Sequence, residues 1–258
     1  MIDLVAGLAP VPLREVLATA SLQDRVDRKY LVDRDTAARL VQRLSGDVRA
    51  LEVDGARVAA YSTVYFDSAD LACHRAHLQG RRRRWKARTR RYLDGDLCRL
   101  ELKTKGPRGR TIKDVVDVAA GQHGRLDASA LAFLDERLAA AYGTGLDRDL
   151  APALTVTYSR ATLVGAGERL TLDAGLDAWT PDGRHVTALS PRAVLVESKA
   201  GSSPGLADRV LRDLGVRETD VSKYCAGLAV ALPALPAPAL RPVLRRWFVD
   251  AEPLSAAA

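Results

Sequence analysis

With 258 residues, 47% hydrophobic and 28% charged, the chain reads as one soluble globular unit with a substantial core, and its short or proline-broken apolar runs exclude a transmembrane helix. Its N-terminus lacks the basic segment of a secretory signal, and Cys73, Cys98 and Cys225 lie far apart with no Cys-x-x-Cys pair, so reduced thiols in a cytoplasm are expected rather than disulfides or a zinc site. A formal charge of +7 and a pI near 9.5 call for an anionic partner but leave nucleic acid, an acidic membrane surface and small polyanions open.

Residues 1–23 form a lead-in with a helix predicted near 13–20. Residues 24–32 then alternate, with Arg25, Asp27 and Lys29 on one side and Val26, Tyr30 and Val32 on the other. Asp33-Arg34-Asp35-Thr36 supplies capping residues for a helix reaching about Leu44, apolar at Ala37, Leu40, Val41 and Leu44. A strand over 60–66 ends in Tyr65-Phe66-Asp67, and a short helix over 70–78 leads into RRRRWKARTRR at 81–91. There Arg82, Arg84, Lys86, Arg88 and Arg90 share one face, and Trp85, Ala87 and Thr89 the other. Residues 99–105 repeat the division, Arg99, Glu101, Lys103 and Lys105 against Leu100, Leu102 and Thr104, with Asp94-Gly95-Asp96 as the hairpin turn.

Gly106-Pro107-Arg108-Gly109 is a predicted turn before a fifth strand, 111–118, that carries Lys113. An amphipathic helix over 129–142 is closed by Gly143. Three strands follow: 153–163 with Tyr158 and Arg160, 169–173 with Arg169, Thr171 and Asp173 opposite Leu170 and Leu172, and 193–199 with Glu197 and Lys199 opposite Val194, Val196 and Ser198. Residues 204–214 are predicted helical, and Ser222 caps a last helix over 223–232. The domain is therefore drawn at 24–232, and the proline-rich 233–258 is expected to be an extended strap ahead of a short segment at 244–249. No repeat, P-loop, zinc spacing, Gly-x-Ser-x-Gly elbow or Cys-His pair occurs. His74, His77, His123 and His185 are scattered and read as surface histidines.

Five distant segments divide charge from apolar residues in the same way, and amphipathic helices follow strands one, five and eight to cover the apolar side. The expected fold is α+β, an eight-stranded antiparallel β-barrel with helices outside and the charged face within. Such a lumen holds water or anions, because each buried unpaired ion costs several kcal/mol against a total stability of roughly 5–15 kcal/mol. Inward cations would be Arg25, Lys29, Lys86, Arg88, Arg90, Lys103, Lys105, Lys113, Arg160 and Lys199, and inward carboxylates Asp27, Glu101, Asp173 and Glu197. That surplus of cations suits a dense polyanion such as triphosphate, with a divalent metal on one or two carboxylates. Glu101 and Asp27 are left between metal binding and salt bridging, Asp173 is read as capping a strand end, and Glu197 is the favoured metal ligand. Arg81 and Arg83 are read as solvated charge. Tyr30, Tyr65, Phe66 and Trp85 are assigned to the apolar face, and with few aromatics on the charged faces nucleic acid is disfavoured.

The ordered set Asp27-Arg28-Lys29-Tyr30-Leu31-Val32, Ser62-Thr63-Val64-Tyr65-Phe66-Asp67, Arg84-x-Lys86-x-Arg88-x-Arg90, Leu100-Glu101-Leu102-Lys103, Tyr158-Ser159-Arg160, Arg169-Leu170-Thr171-Leu172-Asp173, Val196-Glu197-Ser198-Lys199 and Ser222-Lys223-Tyr224 resembles VTC domains. These are the catalytic domains of vacuolar transporter chaperone polyphosphate polymerases and their bacterial relatives, within the triphosphate tunnel metalloenzymes. The resemblance implies a tunnel in which the terminal phosphoryl group of ATP passes to a growing polyphosphate chain with Mn2+ or Mg2+. It implies phosphate ligands at Lys29, Arg88, Arg90, Lys103, Arg160 and Lys223, and a metal-binding carboxylate at Glu197. Lys223 opens a helix capped by Ser222, where unpaired backbone N–H groups and the helix dipole favour phosphate.

Together the two readings give catalysis to Arg88, Arg90, Lys103 and Arg160. Substrate binding falls to Arg25, Lys29, Lys86, Lys105, Lys113, Lys199, Ser222 and Lys223, and metal binding to Glu197, Glu101 and Asp27. Hydrolytic relatives begin strand one with Glu-x-Glu-x-Lys. Arg25-x-Asp27-x-Lys29 departs from that pattern and favours polymerisation over a two-metal triphosphatase, with a non-catalytic polyphosphate or nucleic-acid binder as the third class. The membrane domains of eukaryotic members have no counterpart in these residues, so export of a product would need a separate membrane partner.

Overall fold

The computed structural model describes residues 1–19, 26–106, 111–165, 167–235 and 237–250, so Arg25 and the predicted turn at 107–109 lie outside the described residues. The first elements are α1 (Ile2–Val5), β1 (Pro10–Pro12), α2 (Leu13–Thr19), β2 (Val26–Asp33), α3 (Arg34–Leu44), β3 (Val48–Glu52), β4 (Val58–Asp67) and α4 (Ala72–Leu78). There follow β5 (Trp85–Tyr92), β6 (Cys98–Lys105), β7 (Thr111–Val118), α5 (Ala128–Tyr142), β8 (Ala151–Gly165) and β9 (Glu168–Trp179). The last are β10 (His185–Leu189), β11 (Ala193–Ala200), α6 (Leu206–Asp213), α7 (Lys223–Ala231), α8 (Arg241–Trp247) and β12 (Phe248–Asp250).

All eight predicted strands are present as β2, β4 to β9 and β11. The fold class is the expected α+β one, antiparallel strands with helices packed on their apolar faces. The unpredicted β1, β3, β10 and β12 have five residues or fewer. Among the described residues no helix is long and apolar enough to cross a membrane.

Backbone contacts divide the chain into two compact units. One comprises the described residues of Met1–Ala60, Tyr158–Leu176 and Leu189–Val221; the other comprises those of Tyr61–Thr157, Asp177–Ala188 and Ser222 onward. In the first, β11 lies antiparallel between β2 and β9, with Glu197 opposite both Lys29 and Thr171. Its core is formed by Tyr30 and Val32 of β2, Leu170 and Leu172 of β9, and Val194 and Val196 of β11, against α3 and α6. Asp33 starts α3 by accepting the Thr36 N–H at 2.7 Å. The predicted positions Ala37, Leu40, Val41 and Leu44 are all buried, and each of the larger three contributes roughly 1.5–3 kcal/mol by leaving water.

In the second unit β4, β5, β6 and β7 pair antiparallel in sequence order. Val64, Phe66, Ala87, Leu100 and Leu102 pack on Ala130, Leu134 and Leu138 of α5. That helix is capped by Asp127, which accepts the Ala130 N–H at 2.8 Å, and it stops at Gly143, whose φ of 75° suits a residue without Cβ. The proline-rich stretch expected to be extended instead holds a 3₁₀ turn at Pro238–Leu240 and the helix α8. Proline is tolerated there because the first helical turn has no N–H bonds to lose.

Candidate functional site

In the second unit, strand register places Lys86 opposite Lys103 and Lys103 opposite Lys113. Directly opposed residues share a sheet face, so three lysines form one row across β5, β6 and β7. One step along, Arg88 lies opposite both Tyr65 and Glu101. Glu101 is fully buried, and three cations converge on it: Arg88 Nε at 2.6 Å, Lys113 Nζ at 2.7 Å and Arg90 at 3.6 Å. Burial would raise its carboxyl, but Arg88, Arg90 and Lys113 together hold it well below the usual carboxylate range. Of the two roles left open for Glu101, salt bridging is the one its surroundings display.

Burial of the Lys113 amine pushes its pKa down to about 8, even though Glu101 pulls in the opposite direction, while the Arg88 and Arg90 charges push it further down. Lys113 is therefore charged below about pH 8 and neutral above it. Tripolyphosphate affinity is expected to fall as pH rises through this region, and Lys113→Arg, which keeps its charge, is expected to remove the fall. Calorimetric titration of both proteins across this range would check it; a flat wild-type profile would refute it.

Lys86 Nζ bonds Ser222 Oγ at 3.0 Å and His77 Nε2 at 3.2 Å. Ser222 caps α7, accepting the Cys225 N–H at 3.5 Å, so Lys223 opens that helix as expected. Lys105, the last residue of β6, donates its N–H to the Tyr142 hydroxyl at 2.8 Å.

A buried carboxylate ties these parts together. Asp67, at the end of β4, accepts the N–H groups of Cys73 and His74 at 2.9 Å each, and the Tyr224 hydroxyl at 2.6 Å. The Tyr224 ring stacks on that of Tyr65 with centroids 4.9 Å apart, and the Tyr65 hydroxyl accepts from Arg88 at 3.1 Å. Burial first, then Asp67, pushes the Tyr224 phenol up, so it remains a donor. Asp67 thus links the first turn of α7 to the guanidinium of Arg88. Periodicity carried no sign of this, because Asp67 ends a strand and its partner lies 157 positions away.

Two sequence expectations are corrected here. Tyr65 lies on the charged face opposite Arg88, not on the apolar one; Phe66 takes the core position that alternation allows only one of the two. His74 is completely buried, beneath the Tyr224 ring in an edge-on contact, and burial favours its neutral form.

The first unit gathers a separate set. Asp27 lies opposite Lys199, Lys29 opposite Glu197, and Lys199 opposite Arg169. Lys199 Nζ reaches Glu197 Oε2 at 2.9 Å, both largely buried; burial lowers the lysine's pKa against the pull of Glu197 and Asp27. Arg160 donates to both carboxylate oxygens of Asp173, at 2.6 and 2.7 Å. Asp173 is fully buried within β9 and does not cap a strand end. One signal was legible: Arg160 lies six residues before position 166 and Asp173 six residues after position 167, the symmetric spacing of opposed hairpin positions.

Among the described residues no group of three or more His, Cys, Asp or Glu is arranged to hold a metal ion. A Mg2+ ion bound with phosphates needs only one or two carboxylates, the substrate supplying other oxygens. The carboxylate of Glu197, on the same face as Asp27, fits that smaller demand.

Comparison with known proteins gives one family, described as VTC domain, matching residues 24–232. No curated protein matches. Among solved structures, a candidate adenylate cyclase from Bacillus halodurans is 16% identical with a TM-score of 0.45, over 78% of this chain and 94% of that one. A candidate adenylyl cyclase from Hippeastrum, described as having a dominant triphosphatase activity, is 17% identical with a TM-score of 0.46, over 83% and 99%. A protein from Pyrococcus horikoshii is 14% identical with a TM-score of 0.45, over 80% and 98%.

Proposed function

Because the chain belongs to the VTC domain family, we propose that it is a polyphosphate polymerase, moving the γ-phosphate of ATP onto a growing polyphosphate chain with Mn2+ or Mg2+. The observation that carries this reading is the convergence of Arg88, Arg90 and Lys113 on the single carboxylate of Glu101, beside Lys86 and Lys103 on the same face. An anionic substrate would balance this surplus.

In the proposed reaction a terminal oxygen of the acceptor chain attacks the γ-phosphorus, the bond from that phosphorus to the β–γ bridging oxygen breaks, and ADP leaves with the electron pair. The acceptor oxygen is already anionic, so no general base is needed. What the protein supplies is position and charge stabilisation. Arg88 comes to the reaction preoriented by Glu101 and Tyr65, and Arg160 by Asp173. With Arg90 and Lys103 they are assigned the charge that develops on the transferred group. Arg25, Lys29, Lys86, Lys105, Lys113, Lys199, Ser222 and Lys223 are assigned to holding the phosphates. A divalent ion on Glu197, with Asp27 near it and Glu101 as the third candidate, would further neutralise phosphate oxygens.

Incubation with ATP and Mn2+, followed by sizing of the phosphate product on a gel, tests this. Long chains formed together with ADP are expected. Orthophosphate alone would make the protein a triphosphatase, and polyphosphate binding without ATP consumption would make it a binder.

A further inference from the structure

Arg81 to Arg84 connect α4 to β5, and the side chains of Arg81, Arg82 and Arg83 are exposed. The backbone of this connection is firmly held. Arg81 N–H bonds the Ala76 carbonyl at 3.0 Å, and the Arg84 guanidinium bonds the carbonyls of Gly80 and Arg81 at 3.2 and 2.6 Å. The Arg84 carbonyl accepts from the Tyr142 hydroxyl at 2.7 Å and from the Lys105 N–H at 3.2 Å. The run is therefore anchored at the Lys105 end of β6, the end nearest the row of Lys86, Lys103 and Lys113.

Among the described residues no carboxylate forms an ion pair with any of these four arginines. Solvated surface charge normally mixes both signs, and adjacent like charges repel. Three neighbouring exposed guanidiniums without a carboxylate partner, carried on a main chain held at Arg81 and at Arg84, form a platform for an anion from outside the chain. Sheet rows are two residues, roughly 6.6 Å, apart, so the rows from Lys86 to Arg90 span roughly 13 Å, and the exposed arginines lie past their end. A short phosphate chain bound on those rows leaves Arg81 to Arg83 unused, whereas a long one continues onto them. Bases would need aromatic platforms to stack on, and the neighbouring Trp85 packs instead on the core under α5.

We infer that Arg81, Arg82 and Arg83 bind the part of a long polyphosphate chain that extends beyond the sheet rows. This rests on the reading of those rows as a phosphate site. The test compares wild type with Arg81→Ala/Arg82→Ala/Arg83→Ala, measuring binding of tripolyphosphate, long-chain polyphosphate and single-stranded poly-U RNA at several salt concentrations. The triple variant should hold tripolyphosphate within about twofold of wild type, bind long polyphosphate about tenfold more weakly, and show a salt slope smaller by about 2, since each lost phosphate contact removes roughly 0.7–0.9 from it. The triple lysine variant should restore long-chain binding, because a flexible polyanion needs charge more than a planar fork. Equal weakening of both phosphate ligands, or of neither, overturns the inference and leaves the phosphate-site reading standing. RNA binding to wild type as tight as that of long polyphosphate, and lost equally in the variant, overturns it in favour of a nucleic-acid surface. If wild type binds neither phosphate ligand, the underlying reading fails first.

Discussion

Arg88→Ala is expected to lower turnover by roughly two to three orders of magnitude, the usual consequence of removing one preorganised charge donor from a transition state. Arg88 earns this weight from its geometry. Its guanidinium is held by Glu101 on one side and by the Tyr65 hydroxyl on the other, so it meets a phosphate without first being ordered. Arg88→Lys should recover little, because an ammonium cannot reproduce the planar fork that satisfies both partners at once. The fold should survive, since Arg90 and Lys113 still neutralise the buried Glu101 carboxylate. Lys103→Ala, which leaves that ion cluster intact, should reduce turnover comparably. ADP formation from ATP, together with thermal melting, separates loss of chemistry from loss of structure. Unchanged turnover in both variants would remove the β5–β6 face from the reaction.

The second large effect is on stability. Asp173→Ala strands the Arg160 guanidinium, of which only 13% is exposed, without its bidentate partner. Breaking a buried pair from one side costs about 3–5 kcal/mol, a large part of a typical total of roughly 5–15 kcal/mol. In a chain of this size that corresponds to a melting temperature lower by on the order of 10 °C. The double change Asp173→Leu/Arg160→Met removes both charges together, so it should recover much of the lost stability while leaving turnover low if Arg160 binds phosphate. Calorimetric melts and turnover assays on the three proteins decide between outcomes. A melt unchanged in Asp173→Ala would show that the pair carries no such load, and full activity in the double variant would release Arg160 from the site.

The α3 helix was legible almost residue for residue. Its cap, its four apolar positions and the strand before it are all local, and local spacing is what periodicity reports. The same holds for the division of faces on β2, β5, β6, β9 and β11, and hence for the strand face that most of the candidate residues occupy. Aromatic character suggests the apolar side for Tyr65, but parity decides: its position two residues from Thr63 and opposite Arg88 puts it among the charges. Asp67 and Tyr224 stand in separate motifs, and no local spacing reports a bond between residues 157 positions apart. Proline richness suggests an extended strap after residue 232, but proline also fits the first turn of a helix, which is where α8 holds it.

Alternating polarity along each strand was enough to say which residues face together, and the excess of lysine and arginine on those faces was enough to point to phosphate. What alternation cannot carry is register, since sliding one strand by two residues preserves every face while changing every partner. The row of Lys86, Lys103 and Lys113 and the enclosure of Glu101 by three cations depend on register or on packing between separate strands. They became visible only once the strands were set side by side, because the free energy that selects one alignment comes from the cores packed behind the sheet and not from the charges themselves.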